Sequence, residues 1–107
     1  MTAGASNHMA DFSGVRILLV DDEPAIRRSL GAYLERRGAT VAVAGDAAEA
    51  LAQLEMAEFH VLVSDISLPG QSGLELLAIV LRRWPALRAI LITGSLAPGV
   101  APDETGA

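Results

Sequence analysis

Compact apolar runs alternate along this chain with longer stretches whose apolar positions return every three or four residues. Val15–Val20 is the first run, and predicts a strand. Ile26, Leu30, Tyr33 and Leu34 follow at helical spacing, behind Pro24, which suits a first helical turn, and the acids Asp22 and Glu23. Arg36-Arg37-Gly38 then supplies basic residues and a glycine stop. Thr40–Ala44 predicts a short second strand. Asp46, with Glu49 three residues on, reads as the N-cap of a second helix in a variant of the capping box, and Ala47, Leu51 and Leu54 mark its buried face. Val61–Ser64 is apolar without alternation, as expected of a strand buried on both faces.

The segment Leu68-Pro69-Gly70-Gln71-Ser72-Gly73 predicts a loop. Beyond it, Leu74, Leu77, Ala78 and Leu81 are the expected core stripe of a third helix, which ends at Arg82-Arg83-Trp84-Pro85. Leu76, Ile79 and Val80 make that helix apolar beyond one face, so they are either buried too or a partner surface. Ala89–Ile92 is the fourth strand, and residues 94–107 carry no clear period. The resulting order, β-α-β-α-β-α-β, implies parallel strands with right-handed crossovers and helices on both sheet faces, an α/β doubly wound fold.

Polar residues close the strand runs, and they carry the candidate chemistry. Asp21-Asp22 follows the first strand, Asp65 the third and Thr93 the fourth. Ligands of open α/β sheets bind beyond the carboxyl ends of the strands, so these residues should meet at one spot. Three carboxylates gathered there repel one another and lose solvent. A hard divalent cation resolves the conflict: Mg²⁺ takes oxygen ligands and typically uses one or two carboxylates. Asp65 beside such an ion could act as a nucleophile toward a phosphoryl group and form an aspartyl phosphate, with the Thr93 hydroxyl placed to hydrogen-bond a phosphoryl oxygen.

Composition narrows the classes further. One domain is the most that 107 residues allow. A net charge of -5 argues against nucleic-acid binding by this chain. There is no cysteine, so disulfide and thiolate chemistry are absent, which suits a reducing, cytoplasmic setting. No apolar run approaches membrane-spanning length, and Met1–Ala10 lacks the apolar segment of a secretory signal. Residues 1–12 are therefore expected to be a disordered leader and 13–107 the domain. The eight basic residues are all arginine. The pairs 27-28, 36-37 and 82-83 read as helix-end and solvated-face charges, and His60, at the strand end remote from the acids, as structural. An EF-hand is disfavoured because Pro69 replaces a ligand and Leu76 stands in place of the closing glutamate. Ser67 stands where a haloacid-dehalogenase-type phosphatase would need a second aspartate, and no glycine fingerprint follows the first strand.

Taken together, Asp21-Asp22, Asp65, Pro69 and Gly73 at fixed offsets from Asp65, and Thr93-Gly94 make the chain resemble the receiver domain of two-component response regulators, from about Val15 to Ala107. The segment Asp65–Leu77 fits that family's phosphoacceptor loop closely. The resemblance implies a flavodoxin-like (CheY-like) fold in a bacterial cytoplasmic signalling protein that is not itself an enzyme. It implies that Asp65 accepts phosphate from a sensor histidine kinase or phosphotransfer protein. Mg²⁺ would be held by Asp22 directly, by Asp21 partly through water, by Asp65, and by the backbone carbonyl of Ser67; Thr93 would be the switch hydroxyl.

The family's remaining catalytic residue is a lysine at the end of a fifth strand, and this sequence contains no lysine. Gly106-Ala107 resembles the pair that precedes the fifth strand in many receivers. The expectation is thus a receiver lacking its fifth strand and last helix, with impaired phosphorylation and a bare fourth-strand edge open to homodimerisation or domain swapping. The alternatives are a non-phosphorylatable interaction module on the same scaffold, or a fragment of a longer regulator.

Overall fold

The structure, a computed structural model, describes residues 11–92. Thr93 and Gly94, and the tail that follows, lie outside the described residues. Four strands, β1 (Arg16–Val20), β2 (Thr40–Ala44), β3 (Val61–Asp65) and β4 (Arg88–Ile92), alternate with three helices, α1 (Pro24–Arg36), α2 (Ala47–Met56) and α3 (Gly73–Arg83). The strands form one sheet in the order β2-β1-β3-β4, with every neighbouring pair parallel.

β1 and β3 lie inside the sheet and are buried almost throughout, whereas β2 and β4 are partly exposed. The strand period of two divides β1 between two cores. Leu18 and Val20 join Leu62 under α2 and α3, with Ala50, Leu54, Leu76 and Val80. Ile17 and Leu19 join Val63 on the other face, under Leu30 and Leu34 of α1. Phe12, inside the expected leader, packs on this second core and donates its N–H to the Arg37 carbonyl at 2.6 Å, so the folded body reaches back to it.

Helix ends follow the chemistry of their sequences with one change. Asp46 Oδ1 accepts from Glu49 N–H at 2.8 Å, but the Glu49 carboxylate reaches the N–H of Gly45 rather than that of Asp46. Ser72 and Glu75 at the start of α3 make the full reciprocal capping box. At the far end of the sheet, His60 Nδ1 accepts from Arg16 N–H at 2.9 Å, tying β3 to the start of β1. Tyr33, one of the residues at helical spacing in α1, is exposed beside the Arg37 guanidinium, which lies 4.8 Å from its ring centre.

The expected core stripe of α3 is corrected. Leu76 and Val80 are fully buried, while Leu74 and Leu81 are 56% and 51% exposed. Gly73, Leu76 and Val80 share one helical face, and Gly73 must meet the β3 end, as described below, so its contact sets the rotation of the helix. The phase has a direct check. Leu76→Ala is expected to cost about 2–5 kcal/mol of stability and Leu74→Ala less than about 1 kcal/mol in urea unfolding. Equal losses would contradict the observed phase.

Candidate phosphoacceptor and metal site

In a sheet ordered β2-β1-β3-β4, the chain leaves β1 toward β2 and then crosses back to β3. The reversal opens a crevice between the carboxyl ends of β1 and β3. Asp21 directly follows β1 and Asp65 is the last residue of β3, so the topology brings them to one place. One carboxylate oxygen each from Asp21, Asp22 and Asp65 lies within 4.8 Å of the others. Asp21 and Asp65 are only 1% and 3% exposed, whereas Asp22 faces solvent.

Each buried acid is held by the backbone that follows it. Asp21 Oδ1 accepts from Glu23 N–H at 2.9 Å, and Asp65 Oδ1 from Ser67 N–H at 3.1 Å. Among the described residues, Asp21 Oδ2 is buried without a hydrogen-bond partner. Burial pushes the Asp21 carboxyl above its ordinary range; the Glu23 N–H opposes this, and the nearby Asp65 and Asp22 charges add to it. An unpartnered buried oxygen on a carboxylate gathered with two other acids is the environment a divalent cation relieves, so the donor set fits an oxygen-seeking ion.

Ser67 is exposed on the loop after β3 and joins the site through its N–H. Thr93, the proposed switch hydroxyl, falls outside the described residues. Sequence reasoning named one further contributor only as part of a motif and misread another. Gly73 donates its N–H to the Ile66 carbonyl at 2.6 Å and packs so tightly on the β3 end that a Cβ there would run into the Asp65 carbonyl oxygen. Its place eight residues after an acidic strand end was a motif match, without a reason. Arg27, read as a solvated charge, is half-buried and donates from Nη1 to the Asp21 carbonyl at 2.6 Å. Its position in the first turn of a helix opening at Pro24 could have signalled that it reaches back to the strand end.

The model of the response regulator receiver domain matches residues 17–102. This chain belongs to that family. The receiver is 47% identical over 70 residues to the transcriptional regulatory protein TrcR of Mycobacterium tuberculosis, covering 65% of this chain and 27% of TrcR. Among solved structures it is similar to the response regulator TrrA of Thermotoga maritima in complex with Mg(2+)-BeF. The identity there is 35% and the TM-score 0.72, over 75% of this chain and 70% of that one. It is also similar to the complex of histidine kinase ThkA with TrrA, at 31% identity and a TM-score of 0.72, over 87% of this chain and 80% of the other. The four-stranded parallel sheet and its flanking helices are those of the CheY-like receiver fold. Among the described residues, no helix is long and apolar enough to cross a membrane.

Proposed function

We propose that this receiver is a phosphoacceptor, in which Asp65 takes a phosphoryl group from a phosphohistidine of a sensor kinase at a pocket that holds Mg²⁺. The observation that carries the reading is the convergence of one carboxylate oxygen each from Asp21, Asp22 and Asp65 within 4.8 Å, on an Asp21 whose Oδ2 is buried with no partner among the described residues. The Mg(2+)-BeF and kinase complexes of TrrA, its structural relative, support it.

In this reading Asp21, Asp22, Asp65 and the Ser67 carbonyl hold the ion. When bound, the ion neutralises the crowded carboxylates and the charge of the incoming phosphoryl oxygens. Ser67 N–H fixes Asp65 Oδ1, which leaves Oδ2 to attack phosphorus. The bond to oxygen forms as the bond to the histidine nitrogen breaks, and the nitrogen keeps that electron pair. Burial of Asp65 limits water at the reacting centre. Thr93 would donate its hydroxyl to a phosphoryl oxygen. The bacterial source of relatives such as TrcR supports a role in bacterial cytoplasmic signalling.

The sequence offers no lysine to stabilise the transferring group. A preorganised cation at such a centre contributes on the order of 3 kcal/mol, so residues 1–107 alone should be phosphorylated slowly, by about a hundredfold, relative to a lysine-bearing receiver. Incubation with acetyl phosphate and Mg²⁺, followed by intact-mass analysis, is expected to give a slow single adduct. The adduct should vanish without Mg²⁺ and in Asp65→Asn. Persistence of the adduct in Asp65→Asn would remove Asp65 from its role.

A further inference from the structure

The first turn of α1 is held to the sheet in an unusual way. Glu23 makes no side-chain cap, and Pro24 occupies the start of the helix. Asp21 N–H still bonds the Ala44 carbonyl at 3.0 Å, continuing the β1–β2 ladder one residue past β1. The Asp21 carbonyl then leaves the ladder, and Arg27 Nη1 takes it at 2.6 Å. Gly45 makes room for the guanidinium: a Cβ at that position would lie 3.3 Å from Arg27 Nη1. Glu49 Oε1, 3.7 Å from the same Cβ position, accepts the Gly45 N–H and fixes the Gly45 backbone there.

With its N–H, its carbonyl and Oδ1 all engaged, the Asp21 backbone and carboxylate plane have little freedom. Among the described residues only Oδ2 is left unpartnered, buried on a carboxylate that lies with Asp22 and Asp65. We propose that Arg27 is the positioning residue of the acidic pocket, holding the Asp21 main chain so that the Asp21 and Asp22 carboxylates converge with Asp65 on a divalent cation. This rests on the Mg²⁺ reading above. The rigid, planar guanidinium of arginine is preorganised to hold the Asp21 carbonyl in a way that the flexible point charge of lysine is not. Arg28, one residue along, is exposed and serves as the control.

The test is calorimetric titration of the full chain with Mg²⁺, with thermal melts to establish that each variant is folded. Arg27→Gln is expected to weaken Mg²⁺ binding roughly tenfold, the usual scale for a residue that orients metal ligands. Arg27→Lys should weaken it less and Arg28→Gln should leave it unchanged. The sign is diagnostic. Removing a cation beside three carboxylates tightens Mg²⁺ binding if charge alone matters, and a purely structural loss lowers the melting temperature without moving the affinity of the folded protein. Gly45→Ala keeps the charge and presses on the guanidinium, so it should weaken binding in the same direction even if Arg27→Gln folds poorly. Mg²⁺ binding in Arg27→Gln or Gly45→Ala as tight as in wild type overturns the proposal alone. A wild-type protein that does not bind Mg²⁺ overturns the metal reading and this proposal together.

Discussion

Gly73→Ala is expected to be among the most damaging single-methyl additions this receiver can suffer, at about 3 kcal/mol of stability. The added Cβ would meet the Asp65 carbonyl oxygen, and lie 3.0 Å from both the Asp65 carbonyl carbon and the Ile66 Cα. All three are backbone atoms, so no flexible side chain can yield. Relief requires α3 to move off the end of β3. That movement breaks the Gly73 N–H bond to the Ile66 carbonyl and strains the Ser72–Glu75 capping box beside it. Because the displaced backbone belongs to Asp65, any variant that still folds should also bind Mg²⁺ more weakly. Gly70→Ala is the control. Its φ of +75° disfavours a side chain, yet no atom of the described residues lies within 4 Å of the added Cβ, so the cost should stay at about 1–2 kcal/mol with Mg²⁺ binding retained. Urea unfolding of both variants decides the matter, and a Gly73→Ala protein as stable as Gly70→Ala would contradict the close approach.

The same contact explains what could and could not be read from the sequence. β1 and β3 were legible because continuous runs such as Ile17–Val20 and Val61–Val63 suit strands buried on both faces. The meeting of Asp21, Asp22 and Asp65 was legible because alternation of strands and helices forces parallel strands, whose carboxyl ends share one edge. The rotation of α3 was not. Leu74, Leu76, Leu77, Ile79, Val80 and Leu81 surround that helix with apolar side chains, so periodicity admits more than one buried face. Gly73 chooses among them through a tertiary contact that leaves no periodic trace. Arg27 was misread for a related reason. One of a pair of arginines on a surface helix looks solvated until the Asp21 carbonyl and the bare Gly45 are seen beneath it. Helix-end logic succeeded where the chemistry is local, as at Ser72, and shifted by one residue where Glu49 found the Gly45 N–H.

Asp21→Asn is expected to raise the stability of the metal-free receiver while removing most of its response to Mg²⁺. Burial is the first cause of the raised Asp21 pKa, with the charges of Asp65 and Asp22 adding to it. A carboxyl whose pKa is higher in the folded than in the unfolded state binds more protons when folded. Its contribution to stability is therefore full below the unfolded pKa and lost as pH rises through the folded pKa. At neutral pH the ionised Asp21 works against folding, with Oδ2 buried and unpartnered. An amide there removes the charge, and relief of about 1–2 kcal/mol is the scale for an unsatisfied buried group. If the pocket holds Mg²⁺ as proposed, the ion should stabilise the wild-type protein by binding the folded state, by about 2.7 kcal/mol at a hundredfold excess over Kd. The two effects predict a crossing. Without metal, Asp21→Asn melts above wild type and its stability falls less between mildly acidic and neutral pH. At saturating Mg²⁺ the order narrows or reverses, because the variant has lost a ligand. Melts at two pH values, with and without Mg²⁺, give all four quantities. A metal-free Asp21→Asn protein less stable than wild type at neutral pH would show that Asp21 is favourable to the fold as an anion, against the balance of burial and repulsion found at the strand end.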